Sequence, residues 1–156
     1  MPPLDVLALV PLVPDSKIPE LVEEFSTAGC QHLRPEPHPL ELPTVMADFR
    51  SQAHLATFAC RGVRTELFLP WHPFHYQVLD RSPERDLEGR KIRIHAPEDL
   101  IVFKKIFDRP KDIGDIKAML MAQKGKLDID RLLRDARQFL TEESYRELES
   151  FVAQFA

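Results

Sequence analysis

Glycine is scarce in this chain, five residues among 156, while proline is plentiful at fourteen. That balance excludes a flexible, disordered polymer and calls for stiff turns built on proline. Cysteine is scarcer still. Cys30 and Cys60 stand alone, match no metal-ligand spacing, and are expected to be free thiols in a reducing compartment. Nor is there a basic excess. With 21 Lys and Arg against 25 Asp and Glu, the net charge of -4 argues against a general nucleic-acid or membrane-binding surface. Only a local cluster, Lys104, Lys105, Arg109, Lys111 and Lys117, is strongly basic. No apolar run approaches a membrane span. The apolar start, Leu4 to Val13, is broken by Asp5 and Pro11 and has no basic leader, so a signal peptide is not expected. There is no internal repeat. The expectation is a cytoplasmic chain without membrane attachment.

What is present suits a globular protein: 44% hydrophobic and 29% charged residues, at a length for one domain with a small helical appendage. Leu4 to Val10 reads as a buried strand bearing Asp5. Asp15-Ser16 caps a helix with Ile18, Leu21, Val22 and Phe25 as its apolar face and Gly29 as its stop. Cys30 to Leu33 reads as a short strand, 34–43 as a proline-rich loop, and Leu42 to Arg50 as a short helix. His54 to Cys60 and Val63 to Leu69, joined by Arg61-Gly62, form a hairpin on which Glu66 faces away from Leu67. Pro70 to Tyr76 holds His72 and His75, two metal-ligand types with no third nearby. The simpler reading is a strand-to-helix turn that lays aromatics over the sheet. Lys91 to Ile94 is a short strand after a charged, polar stretch, and four helices follow from Pro97. Strands first and helices after make an α+β fold.

The chain is organised around residues 95–116, which read as two helices joined at Arg109-Pro110. At 100° per residue, Leu100, Phe103, Ile106 and Phe107 share a face, and Lys104 falls at about 40°, inside that apolar arc. In the second helix Ile113, Ile116, Met119 and Leu120 form the face, with Asp112 between Ile116 and Met119. An unpaired buried charge is very unfavourable. Lys104 and Asp112 must therefore pair with each other, pair with Arg109, or line a cleft. A second pattern concerns acids. Asp5 and Glu66, on two strands, would meet the need of Mg²⁺ for hard oxygen ligands in phosphoryl transfer, with Lys104 leaning in to neutralise phosphate; the alternative is that both acids are simply solvent-facing strand residues.

The run Ala96-Pro97-Glu98-Asp99-Leu100-Ile101, then Lys104, then Arg109-Pro110-Lys111-Asp112 and Asp115-Ile116, resembles a signature of the nucleotidyltransferase superfamily. The branch it resembles is that of minimal nucleotidyltransferase-like proteins related to the toxin components of abortive-infection toxin–antitoxin systems. The order of elements agrees over almost the whole chain. The resemblance implies a nucleotidyltransferase-like core over 1–95, a mixed sheet with flanking helices, and a helical segment over 96–156. It implies Mg²⁺-dependent transfer of a nucleotide from a nucleoside triphosphate to a hydroxyl on RNA or protein. Asp5 and Glu66 would be the metal-binding, catalytic carboxylates. Lys104 would be a catalytic and nucleotide-binding lysine, joined at the nucleotide by Arg109 and Asp112. The chain departs from the pattern where Pro3 stands two residues before Asp5, in place of the first acid, and where no glycine-turn helix precedes the strand. The departure implies either a longer enzyme or a degenerate member that binds a nucleotide or a protein, with a second copy or a partner covering the side left open.

Overall fold

The computed structural model describes residues 15–51 and 54–156. The expected first strand, with Pro3 and Asp5, lies outside the described residues. The chain divides into two units, one ending at Asp80 and the other running Arg81–Ala156.

In the first unit a short 3-10 turn, Asp15–Lys17, leads into α1 (Ile18–Thr27), and Gly29 ends it at φ +73°, a conformation glycine adopts without penalty. β1 (Gln31–Arg34) follows, then β2 (Glu36–His38), α2 (Leu42–Phe49), β3 (Leu55–Cys60) and β4 (Val63–Phe68). The strands form one sheet in the order β2-β1-β3-β4, and every described pairing is antiparallel. The fold is α+β, as the sequence predicts. β2 is a departure: the stretch expected to be all loop turns back at once and pairs Arg34 with Glu36 and His32 with His38. Pro37 is tolerated because, among the described strands, β2 lies at the edge of the sheet, where a missing N–H costs no ladder bond. The β3–β4 hairpin turns at Arg61 (φ 51°) and Gly62 (φ 79°), the two left-handed residues that match strand twist.

Alternation does the rest. Ala56 and Phe58 of β3 and Leu67 of β4 point inward, where Ile18 and Val22 of α1 and Val45 and Phe49 of α2 meet them. Phe25 packs edge-on against Phe58 with centroids 5.0 Å apart. His32, fully buried on β1, bonds Asp48 of α2 (Nε2 to Oδ2, 2.8 Å), and Arg34 reaches the other oxygen at 2.9 Å. The expectation of free thiols is overturned. Gln31 pairs with Ala59, so Cys30 and Cys60 face one another at the next rung, their Cα atoms 4.3 Å apart, and form a disulfide. That is the separation of a non-hydrogen-bonded antiparallel pair. α3 (Pro73–Arg81) leaves the sheet unit.

The second unit opens with a hairpin, β5 (Glu84–Leu87) and β6 (Arg90–Arg93). Only β6 is expected from sequence, because β5 is exposed at every position and so carries no apolar alternation. Then come α4 (Pro97–Phe107), α5 (Pro110–Ala122), α6 (Ile129–Phe139) and α7 (Glu142–Phe155). α4 packs on α5 and α6, and α7 on the same two. Asp128 and Thr141 cap α6 and α7, accepting the N–H groups of Arg131 and Ser144. Ile116 and Leu120 of α5, Leu132 and Ala136 of α6, and Leu148 of α7 are fully buried. α4 differs from its expected face. Ile101, Val102 and Lys105 lie deepest, while Leu100, Ile106 and Phe107 are half-buried. Among the described residues no helix is long and apolar enough to cross a membrane.

Candidate functional site

The joint between α4 and α5 is built by two backbone devices. Asp108 ends α4 in the left-handed conformation (φ 52°, ψ 31°), its N–H donating to the Lys104 carbonyl. Arg109 is then extended, and Pro110 occupies the first position of α5, where its missing N–H costs nothing. Asp112, one turn in, accepts the Arg109 backbone N–H at 3.3 Å, and its charge suits the helix N-terminus.

These turns converge four charged side chains. Arg109 grips Asp112 with two bonds, Nε to Oδ2 at 2.6 Å and Nη2 to Oδ1 at 3.2 Å. Lys104 Nζ donates to Asp115 Oδ2 at 2.6 Å and lies 3.7 Å from Asp112 Oδ1. The inward lean read from helical spacing is real: Asp112 is 1% exposed and Lys104 8%. The alternatives left open by the sequence resolve as pairing, with both Arg109 and Asp112 taking part. Burial alone would raise the Asp112 carboxyl. The Arg109 hydrogen bonds and charge outweigh it, Lys104 adds to them, and the carboxyl is held below the usual range. Arg109 also lies over the Phe107 ring at 5.3 Å. These contacts set two cations on two acids, with a half-exposed Asp115 and an exposed Arg109 at the rim.

Two neighbouring clusters are not legible from spacing. Asp99 accepts from Arg81, and from Arg131 at 2.8 Å, while Arg81 also bonds Asp135 at 2.7 Å. Glu98 Oε1 accepts the backbone N–H of Asp128, the cap of α6, at 2.8 Å. The two acids after Pro97 thus hold α6 to α4. Lys105, fully buried, bonds Asp108 at 2.6 Å and also Glu147 of α7. Their partners lie up to 54 residues away in sequence, so no local pattern announces them.

Glu66 belongs to the first unit. It pairs with Thr57 across the hairpin and accepts from Arg64, two residues earlier on the same face, at 3.1 and 2.8 Å, both bonds ending on Oε1. One carboxylate of this kind fits Mg²⁺, which is often held by one or two carboxylates together with substrate phosphates. Asp5, its expected companion, lies outside the described residues. His72 and His75 each accept a backbone N–H at Nδ1. Among the described residues no group of three or more His, Cys, Asp or Glu is placed to hold a metal.

No curated protein matches the chain. A family profile described as nucleotidyl transferase of unknown function (DUF2204) matches residues 73–150. The matched stretch runs from the start of α3 through most of α7 and contains Lys104, Arg109, Asp112 and Asp115, together with the Asp99 cluster. Since the match covers half of its length, the chain belongs to this nucleotidyl transferase family.

Proposed function

We propose that the chain catalyses Mg²⁺-dependent transfer of a nucleotide from a nucleoside triphosphate to a hydroxyl on RNA or protein. The observation that carries this reading is the buried Lys104, held at α4–α5 by Asp112 and Asp115 inside the family-matched stretch. A lysine so fixed offers a positioned point charge to a phosphate, and Arg109 adds a planar donor fork at the rim. Asp112 is a positioning residue that orients both. Glu66 and Asp5 would hold Mg²⁺, which supplies charge neutralisation on the phosphates. The acceptor oxygen attacks the α-phosphorus, the bond to the pyrophosphate oxygen breaks with its electron pair, and the hydroxyl proton passes to Glu66. A role in a toxin–antitoxin pair is the biological setting that the signature suggests.

The test is incubation with α-labelled nucleoside triphosphates, Mg²⁺ and either total RNA or a cell lysate. Wild-type protein labels one acceptor class, while Glu66→Ala and Lys104→Ala lower the label by at least 100-fold, the scale on which losing a general base or a charge-stabilising contact acts. Equal labelling by wild type and Glu66→Ala would sink the reading.

A second reading has its own support. Lys104 is already compensated by two acids and Glu66 by Arg64, as suits a domain that binds a nucleotide or a protein without turning it over. Saturable nucleotide binding with no labelling of any acceptor would favour it.

A further inference from the structure

The Cys30–Cys60 bond closes the shortest seam of the first unit's sheet. Among the described pairs β1 meets β3 at Gln31–Ala59 and His32–Phe58, whereas β3 and β4 pair all the way from Leu55–Phe68 to Cys60–Val63. β2, the next strand out, joins the sheet through β1. Asp48 of α2 adds a second hold on β1, through His32 and Arg34. The core beneath is built without sulfur: Ile18, Val45, Phe49, Ala56 and Phe58 are fully buried. A chain with two thiols in place of the bond keeps that core and loses a clamp.

His32 gives the two states different hydrogen bonding. Its ring stacks on Phe58 with centroids 5.6 Å apart, and Phe58 and Cys60 share a face of β3 as alternate residues. Cys30, bonded to Cys60, brings its sulfur to that face one rung from His32. The His32 ring is fully buried. Nε2 donates to the Asp48 carboxylate at 2.8 Å, and no described residue is a hydrogen-bond partner for Nδ1. A buried ring nitrogen without a partner is unfavourable whether it is a bare acceptor or an N–H. A disulfide sulfur has no hydrogen to give. A cysteine serves either form of the ring, because S–H donates to a bare nitrogen and a thiolate accepts from an N–H. Access differs as well: Cys30 is buried and Cys60 half-buried, so an entering thiolate meets Cys60 first.

We propose that Cys30–Cys60 is a reversible thiol–disulfide switch on the β1–β3 seam, with His32 as the partner of the reduced Cys30 sulfur. The reductant is a small thiol. Its thiolate attacks Cys60 Sγ, the S–S bond breaks, and the electron pair leaves with the Cys30 sulfur, which takes up a proton. A second small thiol attacks the mixed disulfide, and the Cys60 sulfur departs as a thiolate and is protonated. Two small thiols become one disulfide as the protein disulfide becomes two thiols. Oxidised, the switch locks β1, and β2 with it, to β3. Reduced, it leaves that seam to the backbone pairs and Asp48. No residue assigned to nucleotide transfer takes part, so the two readings stand or fall separately.

The test equilibrates the full chain in glutathione buffers of rising thiol-to-disulfide ratio, quenches by alkylation and counts thiols by mass. One reversible transition is expected, with both forms folded. Reduction lowers the melting temperature by roughly 4–16 °C, the scale of one cross-link in a chain of this size, and speeds amide hydrogen exchange in β1 and β2 more than in β4. The double variant Cys30→Ser, Cys60→Ser melts with the reduced form and ignores the buffer. His32→Phe requires a buffer roughly 2- to 13-fold more reducing, the span of one hydrogen bond; a histidine that only supports the fold would destabilise both forms and leave the midpoint unmoved. If His32→Phe does not fold, the cysteine variant and the wild-type titration decide. A bond that yields only after denaturation, a dithiol form that is unfolded, or two thiols that oxidised glutathione never joins would overturn the switch. An unmoved midpoint in folded His32→Phe would overturn the part given to His32.

Discussion

Asp112 shows how one carboxylate can be deeply buried and still ionised. Its desolvation is opposed by Arg109 and Lys104, and the balance fixes a pH dependence. The folded-state pKa is depressed below the unfolded value of about 3.9. Its contribution to stability is therefore fully present above that value and is lost as pH falls through the lower, folded one. Asp112→Asn is expected to cost about 1.5–3 kcal/mol at neutral pH, the range for charged hydrogen bonds. The cost stays below that of orphaning a buried ion because Arg109 is exposed and Lys104 keeps Asp115. Urea denaturation at a series of pH values checks both parts: the gap between wild type and variant is constant from neutral pH to about 5, then narrows in acid. A gap unchanged down to pH 2 would refute the depressed pKa. This residue was legible in the sequence, because helical spacing placed it and Lys104 on an apolar face. Asp115 stood in the same signature, but no periodicity showed it to be the nearest partner of Lys104.

At the level of elements, what a sequence announces is what repeats locally. The β3–β4 hairpin and the helices of the second unit were legible because alternation, caps and turn residues lie within a few positions of one another. β2 was hidden by prolines that an edge strand tolerates, and β5 by a wholly exposed surface. The Cys30–Cys60 pairing was hidden by its 30-residue separation, since it is the β1–β3 register that brings the two together. Glu98 and Asp99 are likewise defined by distant partners. They read as acids at a helix start, yet their work is to hold α6, through Arg131 and the N–H of Asp128. Asp99→Ala leaves the two partly buried guanidinium groups of Arg81 and Arg131 short of a counter-charge. It is expected to destabilise by about 3–5 kcal/mol, more than Asp112→Asn. Thermal unfolding followed by circular dichroism ranks the two variants, and the reverse order would mean that the cluster is not a structural clasp.

Across the whole molecule, the division at Asp80 and Arg81 separates two kinds of evidence. The family match falls almost entirely in the second unit, while Glu66 and the Cys30–Cys60 disulfide lie in the first. The second unit carries apolar side chains that are buried in the full chain, and ion pairs that link its helices. Ile101, Val102, Ile116, Leu120, Leu132 and Leu148 are fully buried, each worth about 1.5–3 kcal/mol relative to exposure. Lys105 ties α4 to α7, and Asp99 ties α4 to α6. Expressed alone, residues 81–156 are therefore expected to be helical and to unfold cooperatively on heating. They carry Lys104, Arg109 and Asp112 but not Glu66, so under the proposed function they transfer no nucleotide, with or without Mg²⁺. A fragment without a cooperative transition would show that the second unit draws stability from the first. A folded fragment that labels an acceptor would show that the chemistry does not need Glu66, and the catalytic carboxylate would then have to be sought among the acids of α4 and α5, with Asp115 the first to replace.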